Sequence, residues 1–281
     1  MSTMSDRTKR AEQFRTLSYL LATLVARNLK IRYKGSVLGF FWSLLTPALT
    51  ILMYAVFAHI LKFNNGQPRY LEFLVVGIVV WTYTVGTLND SLFAIVGNTN
   101  LVKKVYFPRE ILPLSTALAN GVNMLLTCIP LVIYLAFTGA LDFSAKTLWV
   151  FPALISHTVL CIGIAFLVST LNVFFRDTQH VIGVGQLAWF FLTPVFYGLS
   201  MQLGVLSFLP GQLKGLAFLN PMTGILSMYR RGLMGADFIA PEFVSVVSPW
   251  WVALSVGVCA TMFIVGSLAL RKGDRSFGDV L

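Results

Sequence analysis

Charge is what this sequence has least of. Only 11% of its 281 residues are Asp, Glu, Lys or Arg, where a soluble domain carries about a quarter. Acidic residues are the scarcer sign, 11 against 21 Lys and Arg. That composition excludes a disordered chain, which would be poor in apolar residues, and an ordinary water-soluble enzyme. There are three histidines and three cysteines. His59, His157 and His180 fall in separate stretches and do not cluster, so no zinc-ligand pattern forms. Cys128, Cys161 and Cys259 sit inside apolar runs with no ligand or disulfide spacing, which excludes a disulfide scaffold and reads as small core residues. The dipeptide Gly-Lys never occurs, so a P-loop nucleotide site is absent. No Gly-x-Ser-x-Gly elbow occurs either. Asp90 is the only carboxylate well inside an apolar run, too little for a proton- or sodium-coupled carrier. No catalytic residue, no metal ligand and no cofactor is assigned to this chain.

What the sequence has in abundance is long apolar runs. Hydrophobic residues make up 57% of it, and mean hydropathy is +0.78. A helix needs roughly 20 mostly apolar residues to cross the hydrocarbon core. Six stretches qualify, about 37–61, 71–97, 111–137, 147–174, 181–201 and 249–270. The expected fold is an all-α integral membrane protein with six transmembrane helices. The connection from Gln202 to Ser248 is apolar but interrupted by Pro210, Gly211, Gly215, Pro221, Gly224, Gly232 and Gly235. Proline breaks a helix interior, so this segment is expected to form re-entrant outer helices, not a seventh span. Irregular backbone at membrane depth must lie against protein or a water-filled cavity.

The positive-inside rule orients the chain. With the N-terminus in the cytoplasm, six spans leave 15 of the 21 cations on the inner side. Both termini are then cytoplasmic and basic. A seventh span would move Arg271, Lys272 and Arg275 outside. Residues 1–36 read as a cytoplasmic tail and an amphipathic interface helix, and 37–281 as the membrane domain. Leu17, Leu20, Leu21 and Leu24 make an apolar stripe, while Arg27, Lys30 and Lys34 share another face. The short run Leu17–Ala26 is not a signal peptide, because a basic segment and a full span follow at once. The basic excess is placed against membrane lipid and protein partners, not nucleic acid.

Four constellations stand out. Lys30-Ile-Arg-Tyr-Lys-Gly-Ser-Val-Leu-Gly-Phe-Phe-Trp, ending in Pro47, leads into the first span. Asn98-Thr-Asn-Leu-Val-Lys-Lys-Val-Tyr-Phe-Pro-Arg-Glu110 is a short basic loop. Asn172-Val-Phe-Phe-Arg-Asp-Thr-Gln-His180 is the next cytoplasmic turn, with Arg176 and Asp177 read as a local pair that ends the fourth span. Asn220-Pro-Met222 opens the stretch that runs to Arg231. Asp90 is read as a helix–helix hydrogen-bonding residue in preference to a pathway residue.

Together these motifs resemble the membrane-spanning permease subunit of ABC-2 type polysaccharide exporters, the O-antigen, capsule and teichoic-acid export family. The resemblance runs from about Phe14 to the C-terminus. It implies a half-transporter that pairs with a second copy of itself and with two copies of a separate ATPase, which carries the ATP and Mg. The cargo would be a polyprenyl-pyrophosphate-linked glycan crossing the bacterial inner membrane. The resemblance further implies ATPase coupling by the N-terminal helix and the first cytoplasmic loop, at Arg27, Lys30, Arg32, Tyr33, Lys34, Lys103, Lys104 and Tyr106. A channel would lie between the copies along the first and fifth spans. The candidate pathway aromatics there are Phe41, Trp42, Trp189, Phe190, Phe191, Phe196 and Tyr197. Trp189 and Phe196 are seven apart and so are expected on one helix face. Asn220, Pro221, Arg230 and Arg231 are the outer-gate candidates, and the two arginines can equally snorkel. Two alternatives remain open: an ABC-2 exporter of a drug or small lipid, and an intramembrane enzyme that modifies a lipid carrier.

Overall fold

The computed structural model describes residues 2–33, 41–60, 69–104, 107–197, 219–235, 249–274 and 276–277. Among them every regular element is helical: α1 Ser2–Tyr33, α2 Phe41–Ile60, α3 Tyr70–Leu92, α4 Thr99–Lys104, α5 Ile111–Phe137, α6 Val150–Phe174, α7 Thr178–Leu192, α8 Pro221–Met234 and α9 Pro249–Asp274. Short 3₁₀ turns, Val96–Asn98 and Ala145–Trp149, precede α4 and α6.

The helix that the others surround is α3. It touches α2, α5, α6, α7 and α8. Of its most apolar window 72% is buried, against 22% for α9. Its sequence, Leu-Val-Val-Gly-Ile-Val-Val-Trp, is apolar on every face, as a helix enclosed by protein requires. Around it, α6 and α9 form the most extensive pair. Their crossing is set by two glycines. A Cβ on Gly163 would stand 2.6 Å from the Phe263 backbone, and one on Gly266 only 2.1 Å from the Gly163 carbonyl oxygen. Small residues let helix backbones approach in this way where water supplies no hydrophobic drive.

Four helices are long and apolar enough to cross a membrane, Tyr70–Leu92, Ile111–Phe137, Ala145–Phe174 and Val252–Asp274. They fall on the second, third, fourth and sixth expected spans. The first expected span contains α2, 20 residues. The fifth contains α7, only 15 residues and about 22 Å long.

Two helix ends differ from the sequence reading. The second span was expected to run to residue 97, but α3 stops at Leu92. Asn172 of α6 donates its amide to the Leu92 carbonyl at 2.7 Å. It thereby satisfies one of the acceptors that a helix end leaves open. The fifth span was expected to run to residue 201, but α7 ends at Leu192 and residues 193–197 turn away. Pro194 explains the break. It disfavours α geometry in the residue before it, and Thr193 is extended at φ −107°, ψ 135°. Most of the expected re-entrant segment, 202–218 and 236–248, lies outside the described residues. Within it α8 is a regular helix.

Crowding the α6–α9 crossing tests this packing. Gly163→Leu or Gly266→Leu should cost about 1–3 kcal/mol or more by overpacking. Gly257→Ala, where an added Cβ meets nothing within 4 Å, should leave the thermal midpoint unchanged. Differential scanning fluorimetry in detergent reads both.

Candidate functional site

Two polar assemblies lie at opposite ends of α3, and several of the singled-out residues belong to one or the other. The first is at the end where α1 packs. Leu24 of α1 is buried among Ile95, Val102, Ile111, Leu112, Phe166, Val173, Leu270 and Phe277, with Leu17, Leu20 and Leu21 packed against the same cluster. The apolar stripe of α1 is therefore covered by the bundle itself. Beyond that stripe three residues of α1 make polar contacts. Arg27 donates to Asn98 Oδ1 at 2.6 Å. Asn28 donates to Ser115 Oγ at 3.3 Å. Arg32 forms an ion pair with Asp90 and donates to Asn120 Oδ1 at 2.9 Å. Asn120 closes the triangle, its Nδ2 donating to Asp90 at 2.9 Å. Asp90 is thus a helix–helix hydrogen-bonding residue, as its sequence context suggested, with a third partner from α1.

The same end holds a reciprocal pair of ion pairs. Arg109 lies 3.3 Å from Asp274, and Arg271 lies 3.4 Å from Glu110. The Arg-Glu of the loop motif therefore clasps the last turn of α9. These exposed pairs are worth little individually, but their crossed arrangement fixes which helix end meets which.

The basic residues assigned to coupling divide in two. Arg27 and Arg32, though partly exposed, hold partners on the bundle. Lys30, Lys103 and Lys104 are exposed. Lys34 and Tyr106 lie outside the described residues, as does the Tyr33 side chain.

The second assembly is at the opposite end of α3. Arg230 of α8 is 7% exposed. It donates to the Pro194 carbonyl at 2.7 Å, to Val195 at 2.6 Å and to Phe73 at 3.2 Å. Its guanidinium sits 3.3 Å from the centre of the Phe73 ring. The planar, five-donor fork of arginine suits this set of acceptors, which a lysine cannot span. The carbonyls are available because α7 has ended. Space is available because residue 77 is glycine, where a Cβ would meet Val195 O at 2.5 Å and Arg230 at 2.6 Å. Arg231 instead stacks on Trp149 at 4.9 Å.

Asn220 ties the same two elements. Its Oδ1 accepts from the Met222 backbone at 3.1 Å, capping the α8 N-terminus, and Pro221 follows at a position that needs no N–H donor. The Asn220 amide nitrogen donates to the Leu192 carbonyl at 3.2 Å and to Thr193 Oγ1 at 2.8 Å. Trp189 donates its indole N–H to Asn220 Oδ1 at 2.9 Å. The Asn-Pro-Met motif is therefore a double cap, closing α7 and opening α8.

The aromatics expected along a pathway also divide. Trp189 meets Trp81 edge-on at 5.6 Å. Phe190 is 6% exposed and packs on Trp81 at 5.4 Å and on Phe196 at 5.6 Å. These residues are anchored inside the single chain. Phe196 lies past the end of α7, so its seven-residue spacing from Trp189 does not put the two on one helix face. Tyr197 donates its hydroxyl to the Phe191 carbonyl at 2.7 Å. By contrast Phe41, Trp42 and Phe191 are 68%, 46% and 57% exposed. Phe191 shares its exposed face of α7 with Val181, Val184 and Leu187, at helical spacing.

Comparison with known proteins decides the family. The ABC-2 type transporter family matches this sequence over residues 19–234. The chain belongs to that family. It is 30% identical to an O-antigen export system permease protein, RfbA, of Klebsiella pneumoniae over 263 residues, covering 93% of this chain and 95% of that protein. A Myxococcus xanthus protein of the same name is 31% identical over 213 residues, 75% of this chain and 78% of that one. A capsule polysaccharide export inner-membrane protein, CtrC, of Neisseria meningitidis is 20% identical over 240 residues, 84% of each chain. The ABC-2 chain is thus a membrane transport protein related to O-antigen export permeases.

Sequence reasoning missed Asn120, Gly77 and Gly86 as members of these assemblies. A Cβ on Gly86 would stand 2.5 Å from Asn120 Oδ1, so this glycine admits the amide that bridges Arg32 and Asp90. The available signal was a pair of glycines inside an otherwise bulky apolar helix.

Arg230 gives a direct check. Arg230→Met and Arg230→Lys should both lower stability, by about 1.5–3 kcal/mol for each charged hydrogen bond lost without replacement. A surface charge would tolerate either change within about 0.5 kcal/mol. Thermal midpoints in detergent separate the two cases.

Proposed function

We propose that this ABC-2 chain is the permease subunit of an ATP-driven exporter that moves a lipid-linked polysaccharide of O-antigen or capsule type across the bacterial inner membrane. The observation that carries this reading is the near full-length relation to O-antigen export permeases, 93% of this chain and 95% of the relative. ATP and Mg belong to a separate partner subunit in this reading, in two copies beside two copies of this chain. Six spans put both termini in the cytoplasm, and the segment around α8 contributes the re-entrant outer helices. The cargo enters as a polyprenyl-pyrophosphate-linked glycan.

The geometry supports a division of labour. Lys30, Lys103 and Lys104 are exposed at the end where α1 packs, and we assign them the contact with the ATPase. The exposed aromatics, Phe41, Trp42 and Phe191, lie on α2 and α7, and we assign them the channel between two copies. Flat rings stack on sugar rings without fixing one sugar, which suits a sliding polymer. Trp189, Phe190, Phe196 and Tyr197 support that wall from behind. At the other end, Asn220, Pro221, Arg230 and Arg231 hold the junction of α7 and α8, and we place the outer gate there. ATP-driven closure of the partner changes the state that the permease favours, which is the energetic content of coupling.

Surface glycan in a strain lacking the permease and complemented with this chain tests the reading. Restored glycan supports it, and restored drug efflux without glycan overturns it. Lys103→Glu with Lys104→Glu should reduce co-purification of the ATPase or its substrate-stimulated hydrolysis. Phe41→Ala with Trp42→Ala should reduce export while the ATPase still co-purifies.

A further inference from the structure

The two motor-facing segments of the sequence, α1 and the loop carrying α4, are not independent attachments. Arg27 joins α1 to Asn98, one residue before α4 begins. Arg32, one turn further along α1, reaches Asp90 of α3 and Asn120 of α5. Asn120 holds Asp90 from the other side, in the space left by Gly86. Asn28 adds Ser115 of α5. Around these side chains is a cavity of about 280 Å³, lined by Asn28, Arg32, Asp90, Asn98, Thr116 and Asn120 among others. Polar walls of this kind are uncommon in so apolar a chain. Asp90 is the carboxylate its helix carries nearest this end, and its partner comes from a different element.

We propose that the Arg32–Asp90–Asn120 triangle is the latch through which displacement of α1 is delivered to the central helix α3 and to α5. Arg32 and Asp90 are positioning residues, acting through the helices they join. α1 packs directly on α5 along the Leu17–Leu24 stripe. With the triangle closed, a push on α1 moves α3. With it open, α1 keeps its apolar packing and the Asn28–Ser115 and Arg27–Asn98 hydrogen bonds but loses its charged hold on α3. Arg27–Asn98 keeps the α4 loop moving with α1, so that both motor-facing segments deliver one displacement. The coupling role rests on the exporter reading above; the latch itself does not.

The test is a charge exchange in the assembled complex in nanodiscs. Spin labels at Tyr19→Cys on α1 and Leu125→Cys on α5 report their separation; both parent residues are exposed. Arg32→Asp and Asp90→Arg singly should broaden the distance distribution, and the double exchange should narrow it again. The same singles should lower substrate-stimulated ATP hydrolysis about fivefold or more, the lower range of a typical coupling, with recovery in the exchange. Gly86→Ala, which displaces Asn120 without changing any charge, should broaden the distribution as well. An unchanged distribution in both singles overturns the latch, whatever export does. An exchange no better than the singles overturns it too. Broadening and recovery without any change in hydrolysis overturns the coupling role. A failed glycan assay with wild-type chain would strike the exporter reading alone, since the distance measurement needs no cargo.

Discussion

The enclosure of α3 is the constraint on which the rest of this molecule depends. A helix largely buried in an apolar medium offers little water to a polar group that meets it. Each such group must find its partners within the protein. α3 meets this demand by being mostly apolar, above all from Phe73 to Trp81, and by carrying glycine at two places. At Gly77 the missing side chain admits Arg230, and at Gly86 it admits Asn120. The two notches are nine residues apart, about 13.5 Å along the axis. Each lets a polar side chain from another helix come close to the backbone of the central one. The bundle is therefore clasped by polar side chains at these two depths, with the buried Thr84–His157 contact between them.

The two depths use different chemistry. At the α8 end, a charged guanidinium binds backbone carbonyls freed by the break after Leu192. The carbonyls cannot leave, so the arrangement holds one geometry. At the α1 end, the contacts are between side chains, Arg32 with Asp90 and Asn120 and Arg27 with Asn98. Arg32 and Asp90 are also partly exposed, so this set exchanges partners at lower cost. A rigid clasp at one end and an exchangeable one at the other is the distribution expected where one end receives force.

The long apolar runs were legible because burial and membrane crossing write the same pattern. The third expected span, 111–137, coincides with α5. Helix ends were less legible, because what stops a helix often arrives from elsewhere. Nothing near Leu92 announces that Asn172, eighty positions away, caps it. The end of α7 did carry a local signal in Thr193-Pro194, which the apolar content of the run outweighed. The site was legible as motifs and not as partners. Asn220-Pro-Met222 stood out, but its role as a double cap needs Leu192 and Thr193 beside it. Arg230 and Arg231 look alike in sequence, yet one is buried against carbonyls and the other stacks on Trp149. Adjacent residues on a helix point about 100° apart, so a pair of like charges rarely shares one environment.

The same angular argument sorts the basic N-terminal segment. Arg27, Lys30, Arg32 and Lys34 read as one cationic patch because charge counting has no direction. On a helix, Arg27 and Lys30 diverge by 60° and Lys30 and Arg32 by 160°. Arg32 can therefore turn toward Asp90 while Lys30 stays exposed. A patch that served only lipid headgroups or a protein partner would gain from presenting every charge outward, at about 1 kcal/mol for each near an anionic surface. Here two arginines, both still partly open to solvent, also hold partners on the bundle. Arginine is the residue suited to such partners, and lysine, with its strongly hydrated ammonium, to the outer face. The basic excess is thus divided by direction: Arg27 and Arg32 hold partners on the bundle, while Lys30, Lys103 and Lys104, with Arg15, Arg176 and Arg271, face outward.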